Sequence, residues 1–176
     1  MTQAPEPTSP GRIGTSAGVR MATVLLAEDD ADIRLLVTFK LTQAGYQVRV
    51  FGDGVSAVAA AREHPPDLAI LDAMMPGMSG LEACRELRRD PATANIPVII
   101  LTALAQEADI AAGFAAGADD YIVKPFSPRE FVTRVYAALA RAQTGAPPRA
   151  DLARPSLPPP RAGGTAASAP AGHPPA

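Results

Sequence analysis

Residues 68–80 read Leu68-Ala69-Ile70-Leu71-Asp72-Ala73-Met74-Met75-Pro76-Gly77-Met78-Ser79-Gly80. The apolar run Leu68–Leu71 is long enough for a buried strand and too short for a helix. It ends on a carboxylate, Asp72, and the chain then turns through Met75-Pro76-Gly77. Ser79-Gly80-Leu81-Glu82 supplies the Ser-x-x-Glu capping box of a helix start. In open parallel sheets, ligands bind outside the carboxyl ends of the strands. A lone acid at such an end makes Asp72 the first residue to suspect of chemistry.

The same alternation runs outward in both directions. Thr23–Ala27 reads as a buried strand that runs into Glu28-Asp29-Asp30. Asp29 or Asp30 can cap the next helix, which places Ile33, Leu36, Val37, Leu41 and Ala44 at helical spacing and takes Gly45 as its C′ residue. Tyr46–Phe51 is a second strand, and Val55–Arg62 an Ala-rich helix stopped by Pro65-Pro66. Beyond the central strand come a helix over Leu81–Arg88 and a very apolar strand, Pro97–Leu101, ending on Thr102. A helix over Gln106–Ala116 is closed by Gly117, and the strand Tyr121–Val123 ends on Lys124-Pro125. Ser127-Pro128-Arg129-Glu130 is a second capping box, opening a last helix that runs to Arg141. Five alternating strand–helix pairs with continuously apolar strands call for an α/β doubly wound parallel sheet with helices on both faces.

Composition limits the rest. Of 19 prolines, three lie in residues 1–20 and nine beyond Thr144, so the ends differ from the body. We expect a disordered flank over 1–20, one folded domain over 21–143, and a disordered Pro/Ala-rich tail over 144–176. Met21, just before the first strand, could be the native start. The body carries 11 Lys/Arg against 16 Asp/Glu, a net of −5, and the ends bring the total to −2. An acidic body argues against gripping nucleic acid by itself. The single Cys84 excludes an internal disulfide and a cysteine zinc site. Neither a membrane span nor a signal-peptide core is present in the sequence, so the expected location is cytoplasmic.

With right-handed crossovers the strand exits share one edge. Glu28, Asp29, Asp72, Thr102 and Lys124 would then converge. Clustered carboxylates repel, and a hard divalent cation such as Mg²⁺ relieves them by taking their oxygens. Asp72 is placed to be a nucleophile toward phosphorus, because aspartyl phosphates are established carboxylate chemistry. Mg²⁺ and Lys124 would neutralise the charge gathered on the phosphoryl oxygens, and Thr102 would hydrogen-bond one of them.

The stretches Leu25–Asp30, Leu71–Gly80, Leu101–Ala103 and Gly117–Phe126, in this order, resemble the receiver domains of two-component response regulators. The resemblance implies the flavodoxin-like (βα)5 fold, single-domain, with strand order 2-1-3-4-5. It implies that Asp72 accepts phosphate from a phosphohistidine on a sensor histidine kinase or a phosphotransfer protein. Asp29, Asp72 and the Met74 carbonyl would ligate Mg²⁺, with Glu28 reaching it through water. Lys124-Pro125 would be cis. Thr102 and Tyr121 match a switch pair through which phosphate changes the surface of the fourth helix, fifth strand and fifth helix. Met74 and Leu104 occupy the positions that influence attack by water; both are apolar, so self-dephosphorylation should be slow.

The expected output is that of a stand-alone receiver, a switch and not an enzyme, which binds a protein target with no direct role for nucleic acid or membrane. The resemblance also implies that receivers of DNA-binding regulators often dimerise through paired charges on the fourth-to-fifth-helix face. Asp120 and Arg134 match one such pair and Glu130 and Arg141 fit the pattern, while Ile110 stands where an arginine is expected. The chain would therefore be a monomer or a phosphorylation-dependent dimer. A Mg²⁺-dependent aspartate-nucleophile phosphatase is the alternative, but such enzymes want a second Asp where Met74 stands. A flavoprotein on the same fold would need a Ser/Thr/Gly phosphate loop where this chain has acids. Cys84 reads as a packing residue, His64 and His173 as outside the site, and Pro155–Arg161 as part of the semi-rigid tail.

Overall fold

The structure, a computed structural model, describes residues 21–103 and 106–145, without the side chains of residues 107 and 108. Ten elements alternate: β1 (Thr23–Ala27), α1 (Ala31–Gln43), β2 (Gln47–Phe51), α2 (Gly54–Glu63), β3 (Leu68–Asp72), α3 (Gly80–Arg89), β4 (Val98–Thr102), α4 (Glu107–Ala115), β5 (Asp120–Val123) and α5 (Pro128–Thr144). The strands form one parallel sheet in the order β2-β1-β3-β4-β5. This is the flavodoxin-like arrangement that the resemblance implies.

The sheet divides the apolar side chains into two cores by simple alternation. Leu25, Ala27, Leu71, Val98 and Ile100 face α2, α3 and α4, together with Cys84 and Leu87. Val24, Leu26, Ile70, Ile99 and Leu101 face α1 and α5, against Val37, Leu41, Phe131 and Val135. Every residue of β3 and β4 is buried, as befits strands covered on both faces. β2, at the edge, is only partly covered.

Helix starts follow their caps. The Asp30 carboxylate accepts from the Asp32 and Ile33 amides, so Asp30 and not Asp29 caps α1. The box at Ser79 and Glu82 is reciprocal. The one expected at Ser127 is half made: Ser127 Oγ accepts from Glu130 N–H, but the Glu130 carboxylate turns to Arg134. An opposite charge one turn along the helix competes successfully with the exposed backbone amide. α1 also departs from expectation. Val37 and Leu41 are buried, whereas Leu36 is exposed along with Leu35 and Phe39. Apolar residues on several sides of this helix made its buried face ambiguous from spacing alone. α5 runs three residues past Arg141, to Thr144, before Gly145 closes it with φ 64°. Among the described residues no helix is long and apolar enough to cross a membrane.

Candidate functional site

Four strands deliver polar residues to one edge. Glu28 follows β1, Asp72 ends β3, Thr102 ends β4 and Lys124 follows β5. Parallel hydrogen bonding continues past the strand ends. Glu28 N–H donates to Phe51 O at 3.1 Å, Ala73 N–H to Leu101 O at 2.7 Å, and Lys124 N–H to Thr102 O at 2.6 Å. The backbone beneath these side chains is therefore held by the sheet. Behind Asp72, α3 begins so close that a Cβ on Gly80 would overlap the Asp72 carbonyl oxygen. Only glycine lets the helix start there.

Lys124 Nζ donates to both oxygens of Glu28, at 3.1 and 2.8 Å, and to Asp72 Oδ1 at 3.0 Å. Glu28 is fully buried and Asp72 nearly so. Burial raises the Glu28 carboxyl above its ordinary range, and the hydrogen bond from Lys124 only partly opposes this; Asp72 adds to the rise. Burial alone would lower Lys124, but its bonds to Glu28 and Asp72 and their charges outweigh that, and its pKa is raised. One ammonium thus serves two buried carboxylates. The exposed Asp29 joins them: ligand oxygens of Glu28, Asp29 and Asp72 all lie within 4.8 Å of one another. Three carboxylates against one cation leave excess negative charge in an all-oxygen cluster with one open side. That donor set fits a hard divalent ion such as Mg²⁺.

The remaining expected residues surround this cluster. Met74, two residues past Asp72, holds its side chain outward, 62% exposed. Thr102 is buried, and Tyr121 is only 7% exposed, deeper than a strand-edge aromatic. Burial raises the Tyr121 phenol, and a hydrogen bond with the Thr102 side chain offsets part of the rise. The Lys124-Pro125 peptide is cis, as the resemblance implies. Leu104 and His173 lie outside the described residues, as do residues 1–20 and the tail beyond Gly145. His64 lines a cleft with Met21 and Thr23 at the opposite edge of the sheet, and Cys84 is a core residue.

Two features were not read from the sequence. Arg34 Nη1 donates to the carbonyls of Glu28, at 2.7 Å, and Asp29, at 3.1 Å. Its position one helical turn past the acidic run was the available signal. The second concerns Asp120 and Arg134, expected to pair between copies. They pair within the chain at 2.9 Å, and Arg134 also holds Glu130 at 3.1 Å.

A family model described as Response regulator receiver domain matches residues 24–136. The DNA-binding response regulator MtrA of Mycolicibacterium paratuberculosis is 45% identical over 118 residues, covering 67% of this chain and 51% of that protein. The phosphate regulon transcriptional regulatory protein PhoB of Pseudomonas aeruginosa is 45% identical over 123 residues, covering 70% and 54%. The chain spans about half the length of these curated relatives. Among solved structures, the receiver domain of the sensor histidine kinase PA1611 of Pseudomonas aeruginosa PAO1, with a magnesium ion coordinated in its active-site cleft, is similar with a TM-score of 0.65. It is 30% identical and covers 69% of this chain and 99% of that one.

These relatives correct one expectation. A receiver acting alone on a protein target, with no nucleic acid in its output, does not agree with similarity to DNA-binding regulators. Acidic charge on a folded body bears only on whether that body grips DNA by itself, and not on what it controls. The matched region reaches all five strands and contains the acidic edge, and the chain belongs to the response regulator receiver family.

Proposed function

We propose that this receiver takes a phosphoryl group from a phosphohistidine donor onto Asp72, in the cytoplasm, and thereby switches the surface of α4, β5 and α5. Lys124 engages Asp72 Oδ1 and leaves the second oxygen for phosphorus. As the new O–P bond forms, the P–N bond to the donor imidazole breaks and the ring leaves with its electron pair. Lys124, released from full service to Glu28, neutralises charge on the phosphoryl oxygens, and the Thr102 hydroxyl hydrogen-bonds one of them. Asp29, Asp72 and the Met74 carbonyl would hold Mg²⁺, with Glu28 acting through water. That ion supplies the positive charge which gathered acids and phosphoryl oxygens need together. Tyr121 follows Thr102 through their shared hydrogen bond. Beyond its own loading and a slow hydrolysis the domain turns over no substrate. Its output is of the DNA-binding class that the name of its relative MtrA carries.

The observation carrying this reading is the Lys124 ammonium bonded at once to Glu28 and Asp72, beside the open carboxylate of Asp29. The test is incubation with acetyl phosphate and Mg²⁺, followed by intact mass. We expect one added phosphoryl group, none after EDTA, and none on Asp72→Ala. Phosphate on the Asp72→Ala variant, or none on the folded wild type, overturns the assignment. Turnover of a generic phosphate ester would instead favour a phosphatase.

A further inference from the structure

We propose that Arg34 is a positioning residue for the cation cluster, and that it acts on Asp29. The inference rests on the metal-binding part of the function proposed above. The three carboxylates of the cluster are held in different ways. Those of Glu28 and Asp72 are buried and tied to Lys124. Asp29 is exposed, and among the described residues its carboxylate receives no hydrogen bond and joins no ion pair. Its direction therefore depends on its backbone. Two consecutive carbonyls, those of Glu28 and Asp29, lie on either side of the Asp29 Cα, and both accept from the same Arg34 nitrogen, at 2.7 and 3.1 Å. Holding both carbonyls constrains the backbone rotation about the Asp29 Cα, and with it the direction in which the side chain leaves the backbone. Arg34 is itself anchored, because it lies in the first turns of α1 and its N–H donates to Asp30 O at 2.9 Å.

The sign of the effect separates this role from simple electrostatics. A guanidinium near acids repels a bound cation, so deleting its charge should tighten binding if charge were all that mattered. Positioning predicts the reverse. Groups that orient metal ligands typically cost about 10–100-fold in affinity when removed. Because Arg34 acts on one ligand of the cluster, we expect the lower end, about tenfold.

The test measures Mn²⁺ binding by electron paramagnetic resonance on the full chain, at a temperature well below unfolding, for wild type, Arg34→Ala and Arg34→Lys. Circular dichroism establishes that each is folded. We expect Arg34→Ala to bind about tenfold more weakly and Arg34→Lys, which keeps a cationic N–H donor on a long stem, to recover most of the loss. Equal or tighter binding by a folded Arg34→Ala overturns the inference and leaves the proposed function standing. Absence of Mn²⁺ binding by wild type overturns both. Should Arg34→Ala not fold, Arg34→Lys and Arg34→Gln are compared instead. Weaker binding by Gln than by Lys then supports the positioning role, and equality or the reverse overturns it.

Discussion

Lys124 Nζ stands 3.0 Å from Asp72 Oδ1, although 52 residues separate them in sequence. The same nitrogen closes on Glu28, so removing it leaves two buried carboxylates without their cation. Lys124→Met keeps the stem and deletes the charge. In EDTA at pH 7 we expect a loss of about 2–3 kcal/mol in urea denaturation. The gap should narrow as acid protonates the carboxylates, and also on adding Mg²⁺. Because the folded pKa of Lys124 is raised, its contribution is fully present below 10.5 and lost as pH rises through the folded value. Wild type should therefore lose stability there more steeply than Lys124→Met. Equal stability of the two proteins at pH 7 would count against the pairing.

Glu28 gives the opposite sign. Its folded pKa lies above 4.5, chiefly through burial, so its contribution is fully present below 4.5 and lost as pH rises through the folded value. At pH 7, above 4.5, the buried group therefore detracts from the metal-free fold. Glu28→Gln should then raise the melting temperature in EDTA, with the advantage disappearing below pH 4.5. Saturating Mg²⁺ should favour wild type more than the variant. A lower melting temperature for Glu28→Gln in EDTA at pH 7 would contradict this balance.

Cys84 lies in the core beneath α4, its Sγ 3.4 Å from Ala116 O. Burial pushes its thiol up to about 11. At pH 8 the thiolate fraction is then roughly one in a thousand, against about a quarter for a free thiol. Iodoacetamide should label native protein at least about a hundredfold more slowly than the same protein in guanidinium. Comparable rates would place Cys84 at the surface and would require α3 to be repacked.

The edge chemistry could be read in the sequence because each acid, hydroxyl or ammonium directly ends a short apolar run. Strand direction alone then sends Asp72, Thr102 and Lys124 to one side. Contacts set by helix rotation could not be read in this way. Nothing local told Leu36 from Val37 as the buried residue of α1, or told Glu130 to prefer Arg134 over the backbone of Ser127. Arg34 was overlooked for a related reason. Its partners are carbonyls, which carry no signature in a sequence, and helical arginines are ordinarily solvent residues. The similarity to DNA-binding regulators had no signature in the acidic body, because charge describes one surface and not the relatives of the chain.

Gly113 lies within α4, where alanine should gain roughly 1 kcal/mol over glycine. A Cβ there would fall 2.8 and 2.9 Å from two ring carbons of Tyr121, closer than real contacts allow. The obstacle is a side-chain ring and not backbone, so it can be relieved by swinging the ring out of its buried seat. Gly113→Ala should fold, forgo the propensity gain, and expose Tyr121, seen as a change in near-ultraviolet circular dichroism and a weaker link to Thr102. In a Tyr121→Ala background the obstacle is gone, and the same substitution should stabilise by roughly 1 kcal/mol. The double-mutant cycle therefore shows a coupling of at least about 1 kcal/mol between Gly113 and Tyr121. Additivity within error would mean that α4 yields readily and that glycine at this position is not what makes room for the ring.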